Sequence, residues 1–339
     1  MNADKPPLLQ AKGLTRHFGV GGMLSKETLH AVDDVDLTIN EREIVALVGE
    51  SGSGKSTIAR LLARIYKPTS GEIYYRGRPL SQLRSRKEMQ WYRGEVPMVF
   101  QDPFSAFNPV HRISHGIMRN LVLHRPELSG AERRAEAERV SDSVGIPKRL
   151  LDRFPHEMSG GERQRIGFAQ ALALRPKLIL ADEPVSMLDV SIRAGILNMM
   201  VDLRDSEEVS LLYITHDLAS ARYVADRIVV MYAGQIAESG PAETVLSEPQ
   251  HPYTRLLLSA VADPRDADAS FAADTGEPPR VINPGDGCRF RWRCPFAIAE
   301  CETVTPLPRP IGPAQVACHV AGRTDQLAAR PASSSAPAA

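Results

Sequence analysis

A chain of 339 residues, 43% hydrophobic and 24% charged, has the composition of a globular protein with room for one large or two ordinary domains. Its 41 basic and 41 acidic residues cancel, which excludes recruitment of nucleic acid or anionic lipid by bulk charge. The opening "MNADKPPLLQAKG" is polar and broken by two prolines, and no run approaches the ~18 apolar residues of a membrane span. The chain is therefore expected in the cytoplasm, with no signal peptide, unless a partner carries it to a membrane.

From Leu8 to about Phe18, and again from His30 to Ile39, apolar and polar residues alternate. This predicts two half-buried antiparallel strands joined by the glycine-rich "GVGGMLSKET". "EIVALVGESGSGKSTIARLLARI" then runs an apolar strand through a glycine loop into a helix. Over residues 105–172 nothing reads as strand, and "GAERRAEAERVSDSV" has helical composition, so an inserted helical subdomain is expected there. "KLILADE" and "SLLYITHD" are short buried strands, each followed by a helical stretch, which is the rhythm of a parallel α/β sheet. Residues 263–287 are rich in Pro, Gly and Asp and read as a linker. Residues 288–322 hold all four cysteines of the chain and read as a small C-terminal module. The tail 323–339, ending in "RPASSSAPAA", is too poor in large apolar residues to fold.

"GESGSGKST" sets Gly49, Gly54, Lys55 and Ser56 at the spacing of a phosphate-binding P-loop, between a strand and a helix. Glycines let the backbone curl so that its N–H groups point at phosphate oxygens, and the helix start adds its positive end. Ser51, Gly52 and Thr57 complete the loop. Lys55 is expected to reach the β- and γ-phosphates, and the Ser56 hydroxyl to ligate Mg²⁺. A glycine-rich turn with a chance lysine is the bland alternative, and the flanking strand and helix speak against it. "LILADEP" ends a strand with Asp182, placed to hold the Mg²⁺ shell, and Glu183, placed to polarise the attacking water. Adjacent carboxylates after a strand are often only a solvated turn; a P-loop upstream turns them into a candidate catalytic pair.

"MSGGERQRIGFAQAL", Met158 to Leu172, resembles the signature of ATP-binding cassette (ABC) proteins. Phe18 resembles the aromatic that stacks on adenine, and Gln101 in "VFQDP" the Q-loop glutamine. "SMLD" from Ser186 resembles the D-loop, and His216 in "YITHD" the switch histidine. The motifs stand in order from Leu8 to Ala262. The resemblance implies an α/β P-loop NTPase core, a mixed sheet with an antiparallel β subdomain and the inserted α-helical subdomain, forming one nucleotide-binding domain over 1–262. It implies an ATPase with Glu183, His216 and Gln101 in catalysis, and Mg²⁺ held by Ser56, Gln101 and Asp182. It also implies a second ATPase subunit, because Ser159, Gly160, Gly161 and Glu162 of one chain face the γ-phosphate bound by the other. Those residues begin a helix whose N–H groups and dipole suit an anion. Two positions depart from the family pattern: Glu162 replaces glutamine and Met187 replaces alanine. A glutamate in the first turn also satisfies the helix dipole, so Glu162 is read either as a group near phosphate or as a cap.

The short span from Thr57 to Ser159 leaves no room for the long coiled coil of DNA-handling relatives, and one cassette sets the chain apart from two-cassette translation factors. "QHPYTRLLLSAV", the proline-rich stretch after it and the cysteine module resemble the oligopeptide/dipeptide (and nickel) importer ATPases. "DPFSAFNPV", with Phe104 and Phe107, resembles the same family and marks where such proteins receive a permease's coupling helix. The implied partners are two integral-membrane permeases and an extracytoplasmic binding protein. No nucleic acid is expected. The implied location is peripheral, on the cytoplasmic face of the inner membrane. The rival reading is a soluble ABC ATPase with a regulatory or nucleic-acid-related role and no permease.

Cys288, Cys294, Cys301 and Cys318 need their own account. A reduced compartment disfavours two disulfides, and a chance group of buried thiols sits oddly with a core that uses no cysteine elsewhere. The five, six and sixteen intervening residues exceed the gap of most zinc knuckles. Four thiolates also ligate a [4Fe–4S] cluster, and Pro295 after Cys294 resembles the cysteine–proline pair of ferredoxin-type sites. The importer ATPases that this C-terminus resembles include members with such a cluster, so the resemblance implies one here. Zinc on the same thiolates is the alternative, as is His319 in place of Cys318. A cluster so far from the P-loop in sequence is expected to be structural, pinning a loop-rich module that lacks a core of its own.

Overall fold

The computed structural model describes residues 6–21, 27–102, 107–259 and 281–323. The alternating N-terminal segments form β1 (Leu9–Val20) and β2 (Glu27–Ile39), paired antiparallel from Leu9↔Ile39 to Val20↔Glu27. The buried strand β3 (Ile44–Val48) leads through the glycine loop into α1 (Lys55–Leu62). Next come β4 (Ser70–Tyr75) and β5 (Arg78–Pro79), which extend the first sheet to the order β2-β1-β4-β5. Neither strand is legible in the sequence pattern. The polar helix α2 (Arg86–Glu95) follows, and then β6 (Met98–Val99).

The expected helical insertion is α3 (Ile113–His124), α4 (Gly130–Ser143) and α5 (Gly160–Leu172). α4 is set by a capping box in which Ser129 and Glu132 satisfy each other's backbone N–H groups. Its buried apolar residues, Ala137 and Val140, join Ile117, Leu121 and Phe168 in one core. The chain then returns to the sheet in β7 (Leu178–Asp182), α6 (Val190–Ser206), β8 (Ser210–Thr215), α7 (Leu218–Val224), β9 (Arg227–Tyr232) and β10 (Gln235–Pro241).

In β3, β7 and β8 every residue is buried, and successive side chains enter different cores. Ile44, Ala46 and Val48 face the helices α3 to α7, whereas Val45 and Leu47 face α1 and the antiparallel sheet. Two-sided burial is why these strands read as continuous apolar runs. The second sheet is mixed: β6, β7, β8, β3 and β9 are parallel, and β10 turns antiparallel to β9.

After α8 (Ala242–Ser247) and α9 (Pro252–Ser259), the described chain resumes at Val281. Most of the expected linker and tail, residues 263–280 and 324–339, lies outside the described residues. The end of the linker is not free: the His30 N–H donates to Val281 O at 2.8 Å and the Asn283 N–H to Thr28 O at 2.9 Å, both on β2. The cysteine region contributes α10 (Glu300–Thr303), β11 (Arg309–Ile311) and β12 (Ala314–Val316), and β12 adds to β10 through Glu238↔Val316. Cys288, Phe290 and Cys301 belong to the cassette's own core, beside a small cluster of Phe296, Val316, Cys318 and Val320. The module is thus sewn onto both sheets. Among the described residues, no helix is long and apolar enough to cross a membrane.

One buried acid seats α9 against this edge. Glu238, fully buried on β10, accepts N–H bonds from Gln250 and His251, each at 2.9 Å. Burial pushes its carboxyl up in pKa while those N–H groups pull it down. Glu238→Ala leaves both donors unmatched and should cost on the order of 2 kcal/mol or more, read as a lower midpoint in denaturant unfolding. An unchanged midpoint would remove Glu238 from this role.

Candidate functional site

β3 delivers the chain to Gly49 at the carboxyl end of the parallel sheet, where ligands of such sheets bind. Gly54 is the N-cap of α1 with φ +104°, and a Cβ there would lie 2.2 Å from the Ala31 carbonyl oxygen. Only glycine fits that position. Ser51 and Gly52 form the exposed tip. Lys55 folds back over the loop and donates to Gly49 O at 2.6 Å and Glu50 O at 2.8 Å. Burial pulls its pKa down, against the opposing charges of Glu183, Asp182 and Glu50. Ser56 Oγ donates to Asp182 Oδ1 at 2.9 Å, and Thr57 follows in the first turn of α1. Burial pushes the Asp182 carboxyl up, with Ser56 and nearby cations opposing. A hydroxyl and a carboxylate at hydrogen-bond distance are hard oxygen donors of the kind Mg²⁺ takes.

Glu183 stands one residue past β7 with φ +46°, an unusual value for a side chain of this kind, fixed by its N–H donating to Ile214 O at 3.0 Å. Its carboxylate lies between Gln101 Nε2 at 3.1 Å and His216 Nδ1 at 3.3 Å. Gln101 also reaches Ser186 Oγ at 3.3 Å. Three residues from the ends of β6, β7 and β8 therefore converge. Phe18, near the end of β1, carries the Arg16 guanidinium 4.5 Å above its ring and meets Tyr66 edge-on at 5.5 Å.

The signature lies on α5 and is occupied with its own helix. Ser159 Oγ accepts from the Glu162 N–H at 3.2 Å and donates to Glu162 Oε2 at 2.9 Å, which also accepts the Ser159 N–H at 2.8 Å. In this conformation Ser159 is the N-cap of α5 and Glu162 closes its capping box. A Cβ on Gly161 would come within 2.5 Å of Ile192 Cγ2, so this glycine lets α5 approach α6. None of the hydrogen bonds found for residues 159–162 reaches the P-loop of the same chain.

The sequence missed the loop's C-terminal support. Tyr253 Oη accepts the Glu50 N–H at 2.9 Å, and the Arg293 guanidinium donates to both Glu50 carboxylate oxygens, at 2.7 and 2.8 Å. Tyr232, Tyr253 and Phe290 stack into the wall beneath, with ring centroids 4.5–5.5 Å apart. Arg289 donates to the Ala233 carbonyl and to Asp33, whose carboxylate also meets His17 Nε2 and His30 Nδ1 at 3.0 Å each. Burial opposes ionisation of Asp33, but His30, His17 and Arg289 hold its carboxyl down at about 2. The readable signal was "CRFRWRC": arginines spaced between cysteines in a buried stretch demand acidic partners.

The four thiols are free; Cys288, Cys301 and Cys318 are buried and Cys294 half-buried. Burial pushes all four up, Cys288 to about 12 and Cys318 to about 11. No three of their sulfurs lie within 4.8 Å of one another; among the described residues only His17, His30 and Asp33 form such a set. A zinc–sulfur bond of about 2.3 Å requires tetrahedral thiolates within about 4 Å of one another, so this spacing is not that of a closed zinc site. His319 is engaged elsewhere, with Nε2 2.9 Å from Val304 O and Nδ1 3.5 Å from Glu300.

Residues 32–186 match the family model described as ABC transporter, and residues 237–301 match that of the oligopeptide/dipeptide transporter C-terminal region. A Sinorhizobium fredii protein named as a peptide ABC transporter ATP-binding protein is 42% identical over 320 residues, 92% of this chain and 90% of that one. A Bacillus subtilis protein named for oligopeptide transport ATP binding is 41% identical over 319 residues, 93% and 95% of the two chains. Among solved structures, a dimeric ATP-binding cassette bound to ADP and phosphate has a TM-score of 0.62 at 28% identity, covering 69% of this chain and 98% of its own. A Clostridium perfringens component of an ABC transporter complex has a TM-score of 0.63 at 25% identity, covering 76% and 96%. Identity at this level, sustained through the cassette and into the cysteine region, means that the chain belongs to the ATP-binding subunits of oligopeptide/dipeptide-type ABC transporters.

Proposed function

We propose that this chain hydrolyses ATP to energise import of peptides through a membrane permease complex, bound peripherally at the cytoplasmic face of the inner membrane. The observation that carries the reading is Glu183 held between Gln101 and His216, next to the Ser56–Asp182 pair at the foot of the P-loop. Lys55 exchanges the Gly49 and Glu50 carbonyls for β- and γ-phosphate oxygens. Glu183 orients and polarises the attacking water, and Gln101 and His216 keep its carboxylate aimed. Ser56, Gln101 and Asp182 would hold Mg²⁺, which supplies charge neutralisation between the phosphates.

A second ATPase subunit, identical or related, completes the site by presenting its Ser159, Gly160 and Gly161. Support comes from the exposure of Ser159 and of the apolar Met187 and Val190, 59% and 79% exposed on the D-loop side, and from the dimeric state of a solved neighbour. The groove with Ile65, Phe100 and Leu174 in its lining is the proposed seat of a permease coupling helix; Phe107 packs on the helical core nearby and Phe104 lies outside the described residues. An extracytoplasmic binding protein acts through the two permeases and sets the substrate.

The cysteine region is proposed to carry a [4Fe–4S] cluster on Cys288, Cys294, Cys301 and Cys318. Support comes from the resemblance and from four free cysteines gathered in one folded segment, three of them buried, with Cys288, Cys294 and Cys318 each feeling the charge of Cys301. The raised pKa values mean that loading releases protons.

Three measurements test these readings. Glu183→Gln should bind ATP normally and lose turnover by about 10² or more; full turnover would sink the role of Glu183. Glu162→Gln, which retains the capping pattern, should change the ATPase rate of the assembled complex by no more than about threefold. A gain of orders of magnitude would mark this signature as degenerate. Protein purified anaerobically should be brown, absorb at roughly 400 nm and lose its colour in Cys294→Ser. A colourless preparation with stoichiometric zinc and no iron would overturn the cluster.

A further inference from the structure

The loop that must receive a polyphosphate carries an acid. Glu50 directly follows Gly49, and an unpaired carboxylate there would repel the ligand. It is not left unpaired. Arg293 Nη1 donates to Oε2 and Nη2 to Oε1 in a parallel fork, a bidentate charge-assisted pair stronger than bonds between neutral groups. The Arg293 side chain is 9% exposed, and its guanidinium lies 5.7 Å from the Tyr232 ring and 5.9 Å from that of Phe290.

The backbone of Glu50 is held as well. Its N–H donates to Tyr253 Oη, and its carbonyl accepts from Lys55 Nζ at 2.8 Å and from the Ser53 N–H at 3.2 Å. At the far end of the loop the Gly234 N–H donates to Ser53 O at 2.9 Å, and the residue before Gly234 is the one whose carbonyl Arg289 takes. Two arginines that flank the first two cysteines thus brace both ends of the loop, 243 residues away in sequence for the Arg293–Glu50 pair.

We infer that Arg293 is a positioning residue for ATP binding. It neutralises Glu50 and holds the loop in its phosphate-receiving shape, so that the C-terminal module sets the nucleotide affinity of this chain. Arg293 acts through Glu50 and does not itself touch nucleotide. The inference rests on the reading of residues 49–57 as the ATP site. Because Arg293 directly precedes Cys294, the thiols and the P-loop contact share one short backbone segment, and reorganising one moves the other.

The test uses the full chain, purified anaerobically, with MgATPγS titrated calorimetrically into wild type, Glu50→Gln, Arg293→Gln and the double variant. Thermal midpoint and metal content are recorded for each. Arg293→Gln should weaken binding about tenfold, since the acid is left beside the phosphates, and Glu50→Gln by less than about threefold. The double variant should bind more tightly than Arg293→Gln alone, because the charge that needed neutralising is gone; a folding defect of Arg293→Gln cannot produce that rescue. In the assembled transporter, Arg293→Gln should raise KM for ATP and leave kcat within about twofold. Losses that multiply in the double variant, or wild-type affinity in Arg293→Gln, would overturn the inference. Failure of the wild-type chain to bind MgATPγS would instead overturn the reading of the ATP site.

Discussion

A buried guanidinium has to find an acid, and in this protein that requirement joins the two ends of the chain. Arg289 and Arg293 are each 9% exposed or less, and the carboxylates they reach are Asp33 on β2 and Glu50 in the P-loop. Removing one partner of such a pair leaves an uncompensated charge in a poor solvent, a penalty of several kcal/mol, which is why the pairs fix geometry more firmly than they add stability. The cysteine region cannot shift without exposing or unpairing them. Everything nearby follows suit: the aromatic wall of Tyr232, Tyr253 and Phe290, the added strand β12 on β10, and the bridge from residues 281–283 to β2.

The same fold places the chemistry. A parallel sheet buried on both faces has only its strand ends available for polar groups, and the carboxyl ends are where helix N-termini and loops gather. Gly49, Gln101, Asp182 and His216 all stand at such ends, and Glu183 extends β7 by one strained residue. That is enough to bring groups from distant parts of the sequence within hydrogen-bond reach of one carboxylate.

What the sequence disclosed and what it hid divide along that line. "GESGSGKST" and "LILADEP" are legible because each is a continuous stretch whose strand-to-turn context is written beside it. The convergence of Gln101, Glu183 and His216 was legible only through the order of motifs. β4 and β5 were hidden because β5 is only two residues long and β4 opens on exposed Ser-Gly, and α2 because Met89 and Tyr92 are a short apolar stripe in an otherwise polar stretch; its sign was the Ser85–Glu88 capping box. The cysteine region was read as a separate module because a Pro- and Gly-rich stretch precedes it. Composition of a linker says how a chain travels, not where it lands, and here it lands on the P-loop.

Glu162 illustrates how a departure from a family pattern acquires physical content. The N-terminus of α5 offers unsatisfied N–H groups that attract an anion. In the isolated chain that anion is the Glu162 carboxylate, which takes both the N–H and the hydroxyl of Ser159. On the proposed reading the partner's γ-phosphate approaches Ser159, Gly160 and Gly161, so the internal cap and the nucleotide meet at Ser159. An exposed cap of this kind contributes about 1 kcal/mol, against several charge-assisted bonds from a phosphate.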